Sequence, residues 1–183
     1  MATSPYLDGI SGSEQTIADF IEQSHDAAKG ENKNRLDTLL SRIVLESAPN
    51  MTRASLESVY GDTYHLQREV IDDAHALAAV IDACGKAGHG DIGATLALRS
   101  SQYLNEAWEI ARKHRLNVID AIRNVHPAEG SSIIYEVQDI ALPGDVADIL
   151  TRDLMNMWPV LVFAHKGDIC KISARCPAGI EKE

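Results

Sequence analysis

The apolar residues of this chain change their period near residue 126, and that change constrains the fold more than any other feature. Before it, they recur at i, i+3 and i+4, the spacing of a helix with one buried face. Leu36, Leu39, Leu40, Ile43 and Val44 form one such stripe, and Val70, Ile71, Ala74, Leu77, Ala78, Ile81 and Cys84 form a clearer one. A longer helix is expected from about 101 to 124, carrying Leu104, Trp108, Ala111, Ile119 and Ile122, with the "ARKHR" flank at 111–115 as a solvated basic stretch. After "HPAEGSS" the pattern shortens: "SIIYEV" (132–137) is rich in β-formers, "PGDVADILTRDLMNM" (143–157) is helical, and "PVLVFAHKGDICKISARC" reads as two strands about a Lys166-Gly167-Asp168 turn. The fold class that follows is α+β. An N-terminal helical region, 1–126, precedes a small, incomplete mixed α/β domain, 127–183, that ends in a β-hairpin. Three short strands and one helix bury little area by themselves, so the sheet is expected to be completed by more chain or by another chain.

Local signals place the helix ends. Ser11 or Ser13 can cap a helix from Glu14, Thr52 a short helix containing Ser55 and Leu56, Asp91 the helix with Ile92 and Leu96, and Asp145 the helix that follows Pro143. "AAKGENKN" (27–34) reads as a polar loop, and Pro49 ends the second helix.

"DACGKAGHGDIGATLAL" places Gly85, Gly88, Gly90 and Gly93 between two helical stripes. Gly88, Gly90 and Gly93 match G-x-G-x-x-G, but a helix precedes them where the dinucleotide motif needs a strand, and Lys86 is followed by alanine rather than by the Ser or Thr of a phosphate loop. A helix terminus at Gly85, a sharp turn and close helix approach account for the cluster.

Charge narrows the function classes. With 27 acidic against 17 basic side chains the formal charge is −10, so the whole surface does not coat a nucleic acid, although a local basic patch can. The three cysteines, Cys84, Cys170 and Cys176, make no CxxC pair, and reduced thiols are expected. No apolar run approaches the roughly 18 residues of a membrane span, and there is no signal-peptide pattern, so a soluble cytoplasmic protein is expected, with no membrane partner. The seven histidines show neither HxxxH nor HExxH spacing. No DxD, DHH or GxSxG group is present, so no catalytic residue and no metal ligand is assigned within the chain.

The last strand carries the most informative surface. Alternation sends Cys170, Ile172 and Ala174 to one face and Lys171, Ser173 and Arg175 to the other. Like groups on one face stand roughly 7 Å apart, a spacing that suits successive phosphates and equally suits a strand edge kept soluble by its cations.

Three stretches, "PYLDGISGSEQTIADFIEQ", "YGDTYHLQREVIDDAHALAAVIDACGKAGHGDIGATLAL" and "GSSIIYEVQDIALPGDVADILTRDL…PVLVFAHKGDICKISARC", occur in this order. Together they resemble the archaeal RecJ-like proteins of the DHH phosphoesterase superfamily, relatives of the single-strand-specific exonuclease RecJ. "ACGKAGHGDIG" is similar to that family's "ACGR-G" turn, with Lys86 in place of arginine. "KISAR" is similar to a strand of its DHH-associated domain that lines the nucleic-acid groove. The resemblance implies that Ser173 and Arg175, with Lys171 beside them, contact single-stranded DNA or RNA, and that replication proteins are partners. It implies manganese or magnesium in a catalytic DHH domain, whose ligands this sequence lacks, and a GGGH stretch that is also absent. The chain therefore reads as an internal segment, or as a paralogue lacking the catalytic lobe: the helical linker, 1–126, and the N-terminal part of the DHH-associated domain, 127–183. Its expected role is to link the lobes of a single-strand exonuclease and help position the strand without cutting it. A helical interaction module of a replication complex, without nucleic-acid contact, is the alternative. A nucleotide pocket near Gly85–Gly93 in an unrelated α+β enzyme is the third reading.

Overall fold

The computed structural model describes residues 6, 7, 10, 11, 14–28, 35–154 and 158–177. Helices α1 (Glu14–Ala28) and α2 (Arg35–Ser47) pack on one another. Arg42 of α2 fastens the pair: its guanidinium stands 4.4 Å from the Phe20 ring centroid and donates to the Ser24 hydroxyl at 3.0 Å and the Phe20 carbonyl at 3.3 Å. The Ser11 hydroxyl accepts from the Leu7 amide at 3.0 Å and closes a turn upstream. Ala27 and Ala28 of the expected loop at 27–34 belong to α1, and Ser13 and residues 29–34 lie outside the described residues. Thr52 does cap α3 (Arg53–Glu57), accepting from the Ser55 amide at 3.2 Å.

Helix α4 (Ala74–Lys86) begins later than its apolar stripe. Asp73 takes the cap, accepting from the Ala76 amide at 2.6 Å. The preceding residues are held in a loop by bonds from the Leu66 amide to Asp72 and from the Ala74 amide to Tyr64. Val70 and Ile71 still pack with the helix, because the core needs their side chains and not their helical backbone. Helix α5 (Gly90–Ala97) and α6 (Leu104–Asn124) follow. Ile71, Val80, Cys84, Ile92, Leu96 and Ala107 form the core of this helical part.

Two of the four clustered glycines have a physical reason. Gly88 adopts φ +84° and makes the left-handed turn expected of Gly85, which lies inside α4. Gly93 lets α5 lie against α4: a Cβ there would stand 3.3 Å from both the Cys84 Cβ and the Ile81 carbonyl oxygen. Asp91 sits within the first turn of α5, and the cap position is His89. A Gly93→Val chain is expected to lose about 1–3 kcal/mol, the range for overpacking a filled core. Chemical denaturation checks this, and the same change at Gly90, where a Cβ meets nothing within 4 Å, should cost less.

The second part is a three-stranded sheet in the order β1 (Ile134–Glu136), β2 (Val160–Lys166), β3 (Ile169–Arg175). β1 pairs parallel to β2, and β2 pairs antiparallel to β3 around Gly167–Asp168, with Gly167 at φ +58°. A parallel pair needs a crossover. Here it is α7 (Pro143–Asp148), continued by a π-helical turn over Ile149–Asp153, so the expected helix to 157 changes its winding after Asp148. Residues 155–157 lie outside the described residues. Val160, Val162 and Ala164 face α7 and the C-terminal half of α6, where Val118, Ile119 and Ile122 meet Val146, Ile149 and Tyr6. The architecture is α+β, and α6 contributes to both cores.

The π-helical turn turns Asp153 fully inward. Its carboxylate accepts from the Tyr6 amide at 3.0 Å, the Ser55 hydroxyl at 2.7 Å and the Arg152 guanidinium at 2.9 Å. The Thr52 amide donates to the Asp153 carbonyl at 3.3 Å, and Met51 bridges to Leu154. One buried carboxylate thus ties the N-terminal segment, α3 and the end of the crossover together.

Candidate nucleic-acid interface

β3 is the edge of the sheet, and both of its faces reach solvent. The register Val160↔Arg175, Val162↔Ser173 and Ala164↔Lys171 puts the expected row on the same face as the buried side of β2. It therefore runs beside α7. Ile172, Ala174 and Cys170 lie on the opposite face. The structure brings the three expected residues together in one row, but it does not leave Arg175 alone. The Arg175 guanidinium donates to the Asp148 carboxylate of α7 at 2.5 Å and to the Ser173 hydroxyl at 3.1 Å. Arg175 and Asp148 are each about half exposed, so the pair holds the guanidinium in place more than it stabilises the fold. Lys171 stands exposed one step nearer the turn.

One turn back along α7 from Asp148 lies Asp145, read from the sequence as a helix cap. Leu142 takes the cap position instead, and the Asp145 carboxylate joins α7 to the helical part. It accepts from the Lys86 ammonium of α4 at 2.7 Å and lies 3.0 Å from His114 Nε2 of α6. Lys86 also pairs with Asp82 at 2.7 Å. Burial pushes the Asp145 carboxyl up, but the hydrogen bonds from His114 and Lys86 outweigh it and hold the group below the usual carboxylate range. Burial works against the Lys86 ammonium as well, and its bonds to Asp145 and Asp82 raise it above the ordinary lysine value.

His114 corrects a second expectation. It lies in the stretch taken as solvated, yet it is buried, on the stripe Ala107, Ala111, His114, Val118. Counting four and three residues along α6 finds that stripe, so a histidine at an inward position was the available signal. Nothing local marks Asp145 as its partner, because the three groups come from α4, α6 and α7.

Among the described residues no three His, Cys, Asp or Glu side chains gather closely enough to hold a metal ion. No disulfide links the described residues: Cys84 is buried and free, Cys170 and Cys176 exposed and free. None of the helices formed by described residues is long and apolar enough to cross a membrane.

No protein-family model matches the chain. It is similar to the uncharacterized protein MJ0831 of Methanocaldococcus jannaschii, with 27% identity over 173 residues. That alignment covers 94% of this chain and 38% of the archaeal protein, so the chain spans well under half the length of the relative it matches.

Proposed function

We propose that the chain is the strand-positioning, non-catalytic portion of a RecJ-like single-strand exonuclease. Residues 1–126 link the lobes, and 127–183 open the DHH-associated domain that contacts single-stranded DNA or RNA. The observation that carries this reading is the edge strand β3, which presents Lys171, Ser173 and Arg175 in one row, with Arg175 held by Asp148. The Asp148 carboxylate occupies Nε of that guanidinium and competes with a phosphate for it, so the pair restrains the cation until a strand arrives. Similarity to a much longer archaeal protein is compatible with a segment of a larger enzyme. Manganese or magnesium, with the ligands that activate water for phosphodiester cleavage, belongs to the catalytic domain outside this chain.

Binding of a short labelled single strand, followed by fluorescence anisotropy at several salt concentrations, tests the reading. Each lost phosphate contact should lower the salt slope by about 0.7 for a single strand. The Lys171→Ala, Arg175→Ala double variant should therefore bind more weakly with a slope lower by about 1.4. Asp148→Asn should bind severalfold more tightly, because it removes the charge that competes with phosphate for Arg175. Binding that ignores salt, or variants that bind like the parent chain, would contradict the assignment.

One observation favours the alternative, a helical interaction module. Ile17 of α1 and Leu36 and Leu45 of α2 are exposed, Leu45 by 75%. Exposed apolar side chains on paired helices suit a protein partner, and replication proteins are the partners this reading names.

A further inference from the structure

A cavity of about 350 Å³ opens between α4 and α6, within the roughly 300–1,000 Å³ typical of small-molecule sites. Ala76, Ala79, Ala83 and Ala111 give it flat, apolar walls, and Trp108 stands on its lining 44% exposed. His114 also lines it, with a side chain only 6% exposed. The Asp145 carboxylate lies 3.0 Å from His114 Nε2, so Nε2 is the ring nitrogen engaged within the protein. No hydrogen bond from a described residue engages Nδ1, the ring's second nitrogen. That nitrogen is the ring's remaining hydrogen-bonding group, and it is open to a ligand in the cavity. The exposed Arg115 stands on the same lining and supplies a positive charge at the solvent side.

We infer that this cavity binds a nucleobase carrying a 5′-phosphate. The flat heteroaromatic ring lies between the alanine walls and against Trp108, the edge of the base hydrogen-bonds to His114 Nδ1, and the phosphate meets Arg115. Stacking on an aromatic side chain and one hydrogen bond to a base edge are the usual means of holding a base. The same chemistry is offered by a free nucleoside 5′-monophosphate and by the terminal nucleotide of a strand. The inference stands on the cavity alone and holds whether or not β3 binds phosphates.

Tryptophan fluorescence tests it in a Trp158→Phe background, where Trp108 is the remaining reporter, since the chain has two tryptophans. Titration with AMP, GMP, CMP and UMP is expected to give saturable quenching with at least one of them. Ala79→Leu, which fills the cavity, should weaken that binding at least tenfold. Arg115→Ala, at an exposed position, should weaken it severalfold and keeps the test valid if the leucine disturbs folding. A 5′-phosphorylated oligonucleotide that quenches with the same sensitivity assigns the base to a strand; quenching by the mononucleotide alone assigns it to the free nucleotide, and both support the cavity. Absence of quenching by all four nucleotides, equal quenching by inorganic phosphate, or full retention of binding in both variants would overturn it.

Discussion

An Asp153→Ala chain is expected to lose about 3–5 kcal/mol of stability, the largest effect of any single change considered for this fold. The substitution removes the carboxylate that accepts from the Tyr6 amide and the Ser55 hydroxyl, both in buried hydrogen bonds, at roughly 1–3 kcal/mol each, and leaves a small cavity. For a chain of this size each kcal/mol moves the melting temperature by about 2–4 °C, so thermal unfolding followed by circular dichroism should show a drop of roughly 6–20 °C. Asp153→Asn keeps the shape and one acceptor but turns an NH2 toward a donor, so its loss should fall between those of the parent and the alanine variant. Equal melting temperatures for Asp153→Ala and the parent would mean that the N-terminal segment, α3 and the crossover are not held together by this carboxylate.

The second large effect is at Asp145. Asp145→Asn is expected to cost about 2–3 kcal/mol, as a hydrogen-bonded charge is removed from two partners. Lys86 keeps Asp82, which is why the loss stays below that at Asp153. The pH dependence has a definite sign. The Asp145 carboxyl is held below its ordinary value in the folded chain, so its contribution is complete above the unfolded value of about 3.9 and disappears as pH falls through the folded one. Lys86 is raised, so its contribution is complete below about 10.4 and is lost as pH climbs through its folded value. The stability gap between the parent and Asp145→Asn, read from urea melts, should be full at neutral pH and shrink in acid below about pH 4. A gap that stays constant into strong acid would show that the Asp145 charge contributes nothing.

Periodicity made the α+β order, the hairpin turn and most helices legible, because each depends on residues close in sequence. Thr52 and Pro49 marked their boundaries for the same reason. The errors came where a tertiary partner outbid a local one. Asp145 sits where a cap belongs, but Lys86 and His114 offer it a charged partner and a buried hydrogen bond. Val70 and Ile71 continue the apolar stripe of α4 without helical backbone, since burial asks only where side chains end up. The left-handed residue fell at Gly88 rather than Gly85 because α4 runs on to Lys86, whose ammonium must reach Asp145. In the interface, alternation placed Lys171, Ser173 and Arg175 on one face. It could not show that this face is the α7 side, or that Asp148 holds Arg175, because both depend on a crossover docking over the sheet.

The central claim is that β3 guides a single strand, and amide chemical-shift mapping tests it most directly. Addition of a short single-stranded oligonucleotide to the labelled chain should move the signals of Lys171, Ser173 and Arg175, with Asp148 responding beside them, and the shifts should fade as salt is raised. Shifts gathered instead on α1 and α2 around Ile17, Leu36 and Leu45, with β3 unmoved, would contradict the account.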